Sequence, residues 1–246
     1  MKKIVRHLLM ILCLVVFCYS AYNLVDIYLD YKKIDDTYDD VAQEYTKTVE
    51  EDQFSYLQID WKELKERNSD VKAWIQIPDT RVNYPVLQGE TNDSYIHSDI
   101  DKKELKAGSI FVASENPSPF EDTNTVIYGH NMKNGSMFHD IKSYTDQEFT
   151  DSHPYIYIYL PDGTVSRYRV FAAHIIPAKS ELYNSQVNDL QAFYQKIMET
   201  NNISVSYDQN NLQPVITLST CTSGGSSTNK RNVVHAFLEE KGIQIS

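Results

Sequence analysis

The chain has 246 residues, 23 of them Lys or Arg and 34 Asp or Glu, for a net charge of −11. That balance argues against a nucleic-acid binder, which needs a basic face that neither the total nor any run beyond residue 10 supplies. With 41% hydrophobic and 12% aromatic residues the chain can bury a real core, and only 8 Gly and 8 Pro exclude collagen-like or low-complexity architectures.

Lys2, Lys3 and Arg6 precede an uncharged run from Leu8 to Val25, which as a helix is about 27 Å long and matches a bilayer core. Asp26, Asp30, Asp35 and Asp36 follow it, so the positive-inside rule predicts an inside N-terminus and an extracellular remainder. Phe17-Cys18-Tyr19-Ser20-Ala21 lacks a small-x-small cleavage site, which favours an uncleaved anchor over a signal peptide. Cys13 and Cys18 follow bulky Leu12 and Phe17, so they read as membrane-helix filler rather than lipidation sites. The predicted organisation is a cytoplasmic basic tail (1–7), a transmembrane signal-anchor (8–25), a helical stalk or arm (26–55) and an extracellular domain (56–246).

Tyr28, Tyr31, Ile34, Tyr38, Val41, Tyr45 and Val49 recur at three- and four-residue steps and predict one striped helix from Asp26 to about Gln53. A short helix capped by Asp60 is expected through Arg67. Beyond Val71 the pattern turns to short β-rich runs: 73–77, 82–87, 109–113, 125–128, 155–160, 164–176, 215–220 and 232–238. Eight strands predict a mostly-β barrel or sandwich. Its clearest hairpin turns at Pro161-Asp162-Gly163, and helices interrupt it at about 136–144 and 188–200.

Outside the anchor stands a single cysteine, Cys221, which closes the apolar run from Pro214 and opens the glycine-containing loop 222–230. A lone exterior thiol cannot form an internal disulfide, and one at the end of a rigid strand beside an open loop is placed as a nucleophile must be. A thiol attacks as thiolate and needs a basic or cationic neighbour. His130, after Gly129 at the end of its own run, and Arg231, where a strand resumes ten residues past Cys221, are the candidates. Each alone is weak evidence; the three together point to one site.

Thr217-Leu218-Ser219-Thr220-Cys221, with Tyr128-Gly129-His130 upstream and Arg231-Asn232-Val233-Val234-His235 downstream, resembles the active-site signature of sortases, specifically class B. The resemblance extends through Asn83-Tyr84-Pro85-Val86-Leu87-Gln88-Gly89, Gly108-Ser109-Ile110-Phe111 and Met137-Phe138, and covers the chain from about Trp61 onward. It implies an eight-stranded sortase-type β-barrel with N-terminal helices, a helix inserted between late strands, and a signal-anchor in front. It also implies a cysteine transpeptidase on a Gram-positive cell surface. Cys221 would attack the Thr carbonyl of a C-terminal sorting signal of Asn-Pro-x-Thr or related x-Pro-x-Thr-Gly type and form a thioacyl-enzyme. His130 would be the proton carrier, and Arg231 the support of the carbonyl or oxyanion. Asn92, Ile96, Tyr128 and Ser219 would line the signal groove, and Leu182 and Tyr183 would be its residues from the 175–187 segment, which matches the family pattern only loosely. The implied partners are surface proteins bearing such a signal and a peptidoglycan precursor or cross-bridge amine.

After the cysteine this chain reads Thr222-Ser223-Gly224-Gly225 where some class B members carry an acidic residue. His97, His139, His153, His174 and His235 are scattered, with no pair at metal-ligand spacing, so no metal and no cofactor are expected. His235 reads as structural, although it lies four residues along the strand from Arg231. Two rivals remain at this level: a hydrolytic cysteine peptidase using the same dyad, and a non-catalytic membrane-tethered β-domain in which Cys221 is an inert thiol.

Overall fold

The structure, a computed structural model, describes residues 2–51, 54–223 and 225–245. The chain divides into two compact units, Met1–Asp40 and Val41–Ser246. The first belongs to helix α1 (Lys2–Tyr45). No Gly or Pro interrupts residues 2–45, so nothing breaks the i to i−4 ladder. Apolar side chains such as Leu8, Leu12, Phe17 and Val25 stand exposed along it. By length and composition α1 is long and apolar enough to cross a membrane.

The helix stops at Tyr45, short of the Gln53 that the tyrosine stripe predicted. Thr46–Glu51 (β1) pairs antiparallel with Phe54–Ile59 (β2), with Thr46 opposite Ile59 and Val49 opposite Tyr56. Thr46, Thr48 and Val49 are β-branched and favour this ladder over a further helical turn. Gln53 itself lies outside the described residues. Next, α2 (Trp61–Arg67) begins as expected at Asp60, whose carboxylate accepts from the Glu63 N–H at 3.1 Å, and it buries Leu64.

All eight predicted strands form: β3 (Val71–Gln76), β4 (Asn83–Leu87), β5 (Ile110–Val112), β6 (Asn124–Tyr128), β7 (Tyr155–Tyr159), β8 (Thr164–Pro177), β9 (Val215–Cys221) and β10 (Lys230–Gln244). They close into a barrel in the order β3-β4-β5-β6-β9-β10-β8-β7, which settles the barrel-or-sandwich alternative. β6 and β9 pair parallel, whereas β9 and β10 pair antiparallel. The C-terminal ends of β6 and β9 and the N-terminal end of β10 therefore meet at one rim of the barrel.

The region predicted helical at 136–144 is a tighter 3₁₀ turn, His139–Thr145, followed by α3 (Gln147–Ser152). Between β8 and β9 lies α4 (Leu190–Met198), the expected late insertion. Its Phe193, Tyr194 and Ile197 are buried with Phe171, Val215 and Val233, each large apolar side chain contributing about 1.5–3 kcal/mol. That packing fixes the outer side of the strands that carry the candidate nucleophile.

Candidate active site

β6 and β9 run in register with Tyr128 beside Ser219. The ladder makes one further bond, from the Gly129 N–H to the Ser219 carbonyl at 3.2 Å, before the chain leaves the sheet. Gly129 is required there, because a Cβ would lie 2.4 Å from Ile110 Cδ1 and 2.8 Å from the Phe138 ring. The His130 carbonyl then accepts from the Phe138 N–H at 2.9 Å, and Asn131 bridges Met137. The short excursion 130–138 is thus pinned at both ends, and His130 is presented at the rim. Arg231 sits directly opposite Cys221 in the β9–β10 register.

The His130 ring is held by two neighbours. Its Nε2 lies 2.7 Å from the Ile96 carbonyl; a carbonyl only accepts, so Nε2 carries the hydrogen. That leaves Nδ1, which makes no hydrogen bond among the described residues, as the position for proton transfer. His97 stacks against the ring at 5.5 Å between centroids and 21° between planes. Burial holds the His130 pKa below its ordinary 6.5; the Ile96 carbonyl pulls it upward and His97 pushes it further down. His130 is therefore a neutral imidazole near pH 7.

The loop that supplies Ile96 and His97 is rigid. Buried Tyr95 donates to Asp70 at 2.7 Å and accepts from Asn68 at 2.8 Å. The Tyr95 carbonyl takes the Ser109 N–H at 3.0 Å beside Gly108, whose φ of +55° admits no side chain comfortably.

Cys221, His130 and Arg231 line one cleft of ≈ 220 Å³, together with Asn92, Ile96, Tyr128, Tyr183 and Ser219. Of the residues singled out from sequence, Leu182 alone is placed elsewhere. It is buried in the core beside Phe171, and its carbonyl accepts from Asn124 Nδ2 at 3.1 Å. The 3₁₀ turn Glu181–Tyr183 turns Leu182 inward and Tyr183 toward the cleft, where the Tyr183 hydroxyl meets Ser219 Oγ at 3.0 Å.

Asn92 is held by Glu115. Its Nδ2 donates to both carboxylate oxygens, at 2.8 and 3.1 Å, and its Oδ1 accepts from the Ser114 N–H at 2.9 Å. The Asn92 amide in turn keeps the Glu115 carboxyl below its usual range. The Arg231 Nη1 donates to the Thr228 and Lys230 carbonyls at 3.1 and 2.9 Å. No carboxylate pairs with Arg231 among the described residues. Its positive charge opposes the effect of burial on the Tyr128 and Tyr183 phenols, both of which burial nevertheless raises.

Sequence reasoning missed Asp93, Phe111, Ala178 and Thr220 as lining residues. Thr220 Oγ1 is buried without a hydrogen-bond partner among the described residues. It also treated His97 as scattered, because nothing local to residue 97 shows that its loop crosses over residue 130.

His235 is fully buried, away from the cleft. Its Nδ1 meets Thr217 Oγ1 at 2.9 Å and its Nε2 meets His174 Nε2 at 3.1 Å, while His174 Nδ1 meets Thr200 Oγ1 at 2.9 Å. Thr217 itself donates to Asn124 Oδ1 at 2.6 Å. Burial pushes the His174 pKa down to about 4 and holds that of His235 well below its ordinary 6.5, with the neighbouring His174 adding to the effect. Among the described residues no group of three or more His, Cys, Asp or Glu is arranged to hold a metal ion.

Residues 75–239 match the Sortase domain family. Sortase B of Listeria monocytogenes is 30% identical, over 98% of this chain and 99% of its own length. Sortase B of Staphylococcus aureus is also 30% identical, over 92% of this chain and 93% of its own. A Staphylococcus aureus sortase B–substrate complex superposes with a TM-score of 0.66 at 30% identity, covering 76% of this chain and 85% of that one.

Proposed function

The chain belongs to the sortase family, on the class B branch of its named relatives, and from that premise we propose that it is a membrane-anchored cysteine transpeptidase acting on C-terminal sorting signals. The observation that carries this reading is the convergence of Cys221, His130 and Arg231 on one cleft from three different strand ends. That a Staphylococcus aureus relative of the same fold has been solved as a sortase B–substrate complex supports a substrate-binding role for this fold.

In the proposed reaction the Cys221 thiol passes its proton to Nδ1 of the neutral His130, and the resulting thiolate attacks the carbonyl carbon of the signal's Thr. The carbonyl oxygen becomes an oxyanion, and the guanidinium of Arg231, unpaired with any carboxylate among the described residues and steadied through Nη1, stabilises it. As the tetrahedral intermediate collapses, the C–N bond breaks and protonated His130 gives its Nδ1 proton to the departing amine. That leaves a thioester between Cys221 and the surface protein. An incoming peptidoglycan amine then attacks the thioester, His130 Nδ1 takes its proton, and the sulfur leaves. Asn92, Ile96, Tyr128, Tyr183 and Ser219 form the groove wall for the signal.

Residues 8–25 are the proposed span, with 1–7 inside and the barrel outside. The basic flank Lys2, Lys3 and Arg6 and the aspartates from Asp26 onward support that orientation. The test incubates the full chain in detergent micelles with Asn-Pro-x-Thr, Leu-Pro-x-Thr-Gly and Ser-Pro-x-Thr-Gly peptides and an amine acceptor, beside a Cys221→Ala control. Cleavage after Thr with transfer to the amine, lost in the control, is the expected result. An intact panel with a folded protein would overturn the reading.

A further inference from the structure

The carbonyl oxygen of Cys221 receives two side-chain amides, Asn131 Nδ2 at 2.9 Å and Asn232 Nδ2 at 3.2 Å. A carbonyl has two lone pairs, so both are used. These two asparagines directly follow the other members of the triad in sequence: His130-Asn131 and Arg231-Asn232. We propose that Asn131 and Asn232 are positioning residues for the transpeptidase, clamping the nucleophile's own carbonyl so that thiol, imidazole and guanidinium are held in one fixed geometry.

The need for the clamp follows from the sheet. On β9, backbone carbonyls two residues apart point to the same side, so the oxygens of Ser219 and Cys221 both face β6. Ser219 is satisfied by the Gly129 N–H. The next ladder bond, to Cys221, would come from a β6 residue that is no longer in the sheet, because the chain has turned away to present His130. An unpaired strand-end carbonyl costs stability and leaves that end free to shift. The Asn131 side chain replaces the missing backbone donor. Its own backbone is fixed by the bridge to Met137 and by the bond from the Phe138 N–H to the His130 carbonyl. Asn232, which is 5% exposed and pairs with Thr220, brings the second donor from β10. One dipeptide thus places the imidazole and grips the nucleophile's backbone, and a second does so for the guanidinium. Neither amide touches the reacting atoms; each acts through the backbone of Cys221.

This inference rests on the transpeptidase reading, so its test carries one readout of turnover and one independent of it. Cys221-Thr222 is the sole Cys-Thr step in the chain; Cys13 precedes Leu14 and Cys18 precedes Tyr19. Labelling Cys with carbonyl ¹³C and Thr with ¹⁵N in the full chain in micelles therefore gives a single cross-peak that reports the Cys221 carbonyl. Steady-state cleavage of a sorting-signal peptide is measured on the same samples for Asn131→Ala, for the isosteric non-donor Asn131→Asp, and for Asn232→Ala.

The expected result is an upfield move of the Cys221 carbonyl resonance in each variant. With it kcat falls about 10- to 100-fold for Asn131→Ala, as expected when a nucleophile is misplaced by an ångström or less, while KM stays within about threefold. Asn131→Asp, which sets a carboxylate oxygen against the carbonyl, falls further. Should Asn131→Ala fail to fold, Asn232→Ala, which removes one donor and leaves the other, carries the same test. The proposal is overturned if the resonance moves while kcat stays within threefold of wild type. It is equally overturned if kcat falls with the resonance unmoved, or if every loss of activity matches loss of folded protein. Absence of turnover in the wild type would instead count against the transpeptidase reading, with the carbonyl resonance still reporting the clamp.

Discussion

Strands β9 and β10 carry two pairs of chemically active residues four positions apart, and the two pairs have opposite fates. At the rim, Cys221 opposes Arg231 beside the cleft that holds His130. Deeper in, Thr217 opposes His235, which leans on His174. Burial lowers the affinity of all three histidines for a proton. They differ in what is left over. Both ring nitrogens of His174 and of His235 are bonded, in a chain running from Thr200 to Asn124 in which each donor meets an acceptor when both rings are neutral. His130 has one nitrogen bonded and one that makes no hydrogen bond among the described residues. A depressed pKa alone therefore does not mark a proton carrier; the role proposed for His130 rests on the depressed pKa together with a ring nitrogen left unbonded among the described residues, in a cleft that Cys221 also lines.

Exchanging the two fates is the strongest way to break that comparison. His130→Ala is expected to lower kcat/KM by roughly 10²- to 10⁴-fold, the usual contribution of a general acid–base group, with little change in thermal midpoint. His235→Ala should do the reverse. Removing the partner of Thr217 and His174 costs about 2–4 kcal/mol in chemical denaturation, with turnover per folded molecule retained. Peptide-cleavage kinetics beside denaturation curves separate the two, and a catalytic collapse in folded His235→Ala would break the distinction.

Arg231→Lys comes next. It keeps the charge but loses the planar fork, and kcat/KM should drop by roughly 10²-fold; full retention would remove Arg231 from oxyanion support. The third prediction concerns acidity. An unfolded histidine takes its proton near pH 6.5, whereas His174 and His235 do so only far lower. The unfolded state thus binds more protons between those limits. The stability tied to neutral rings is full above about pH 6.5 and is lost as pH falls toward 4. Thermal midpoints measured from pH 7 to 4 should decline, and His235→Ala should flatten the decline. The smallest effect sharpens the comparison at the cleft: His97→Gln removes the imidazole that pushes the His130 pKa down and should raise that pKa, read from the His130 ring-proton titration. A downward shift would contradict the stacked arrangement as a source of that depression.

Much of the barrel was readable in the chain, because alternation and turn residues mark strands locally. Seven of the eight runs appear within two residues of their predicted bounds, whereas β10 runs on to Gln244, six residues past the expected end at Leu238. The failures lie where a local pattern was outvoted. The tyrosine stripe continued past Tyr45 at helical spacing, yet Thr46–Glu51 found a β partner in Phe54–Ile59 and left the helix. Leu182 and Tyr183 were indistinguishable as groove residues until a 3₁₀ turn sent one inward and the other toward the cleft. The catalytic candidates were legible because Cys221 and His130 sit where an apolar run ends and Arg231 where one begins. The partners that tune them were not: His97 and the Ile96 carbonyl reach His130 across 33 and 34 residues of sequence, and Asn131 reaches Cys221 across 90.

The central claim is that Cys221 forms the covalent link to the sorting signal. The direct measurement is peptide-mapped mass spectrometry of the full chain, acid-quenched during cleavage of a sorting-signal peptide without an added amine. The account predicts one adduct, equal in mass to the peptide through its Thr acyl group, on the fragment containing Cys221, and its disappearance when an amine acceptor is added. Cleavage with no adduct at Cys221, or an adduct on Cys13 or Cys18 instead, would contradict it.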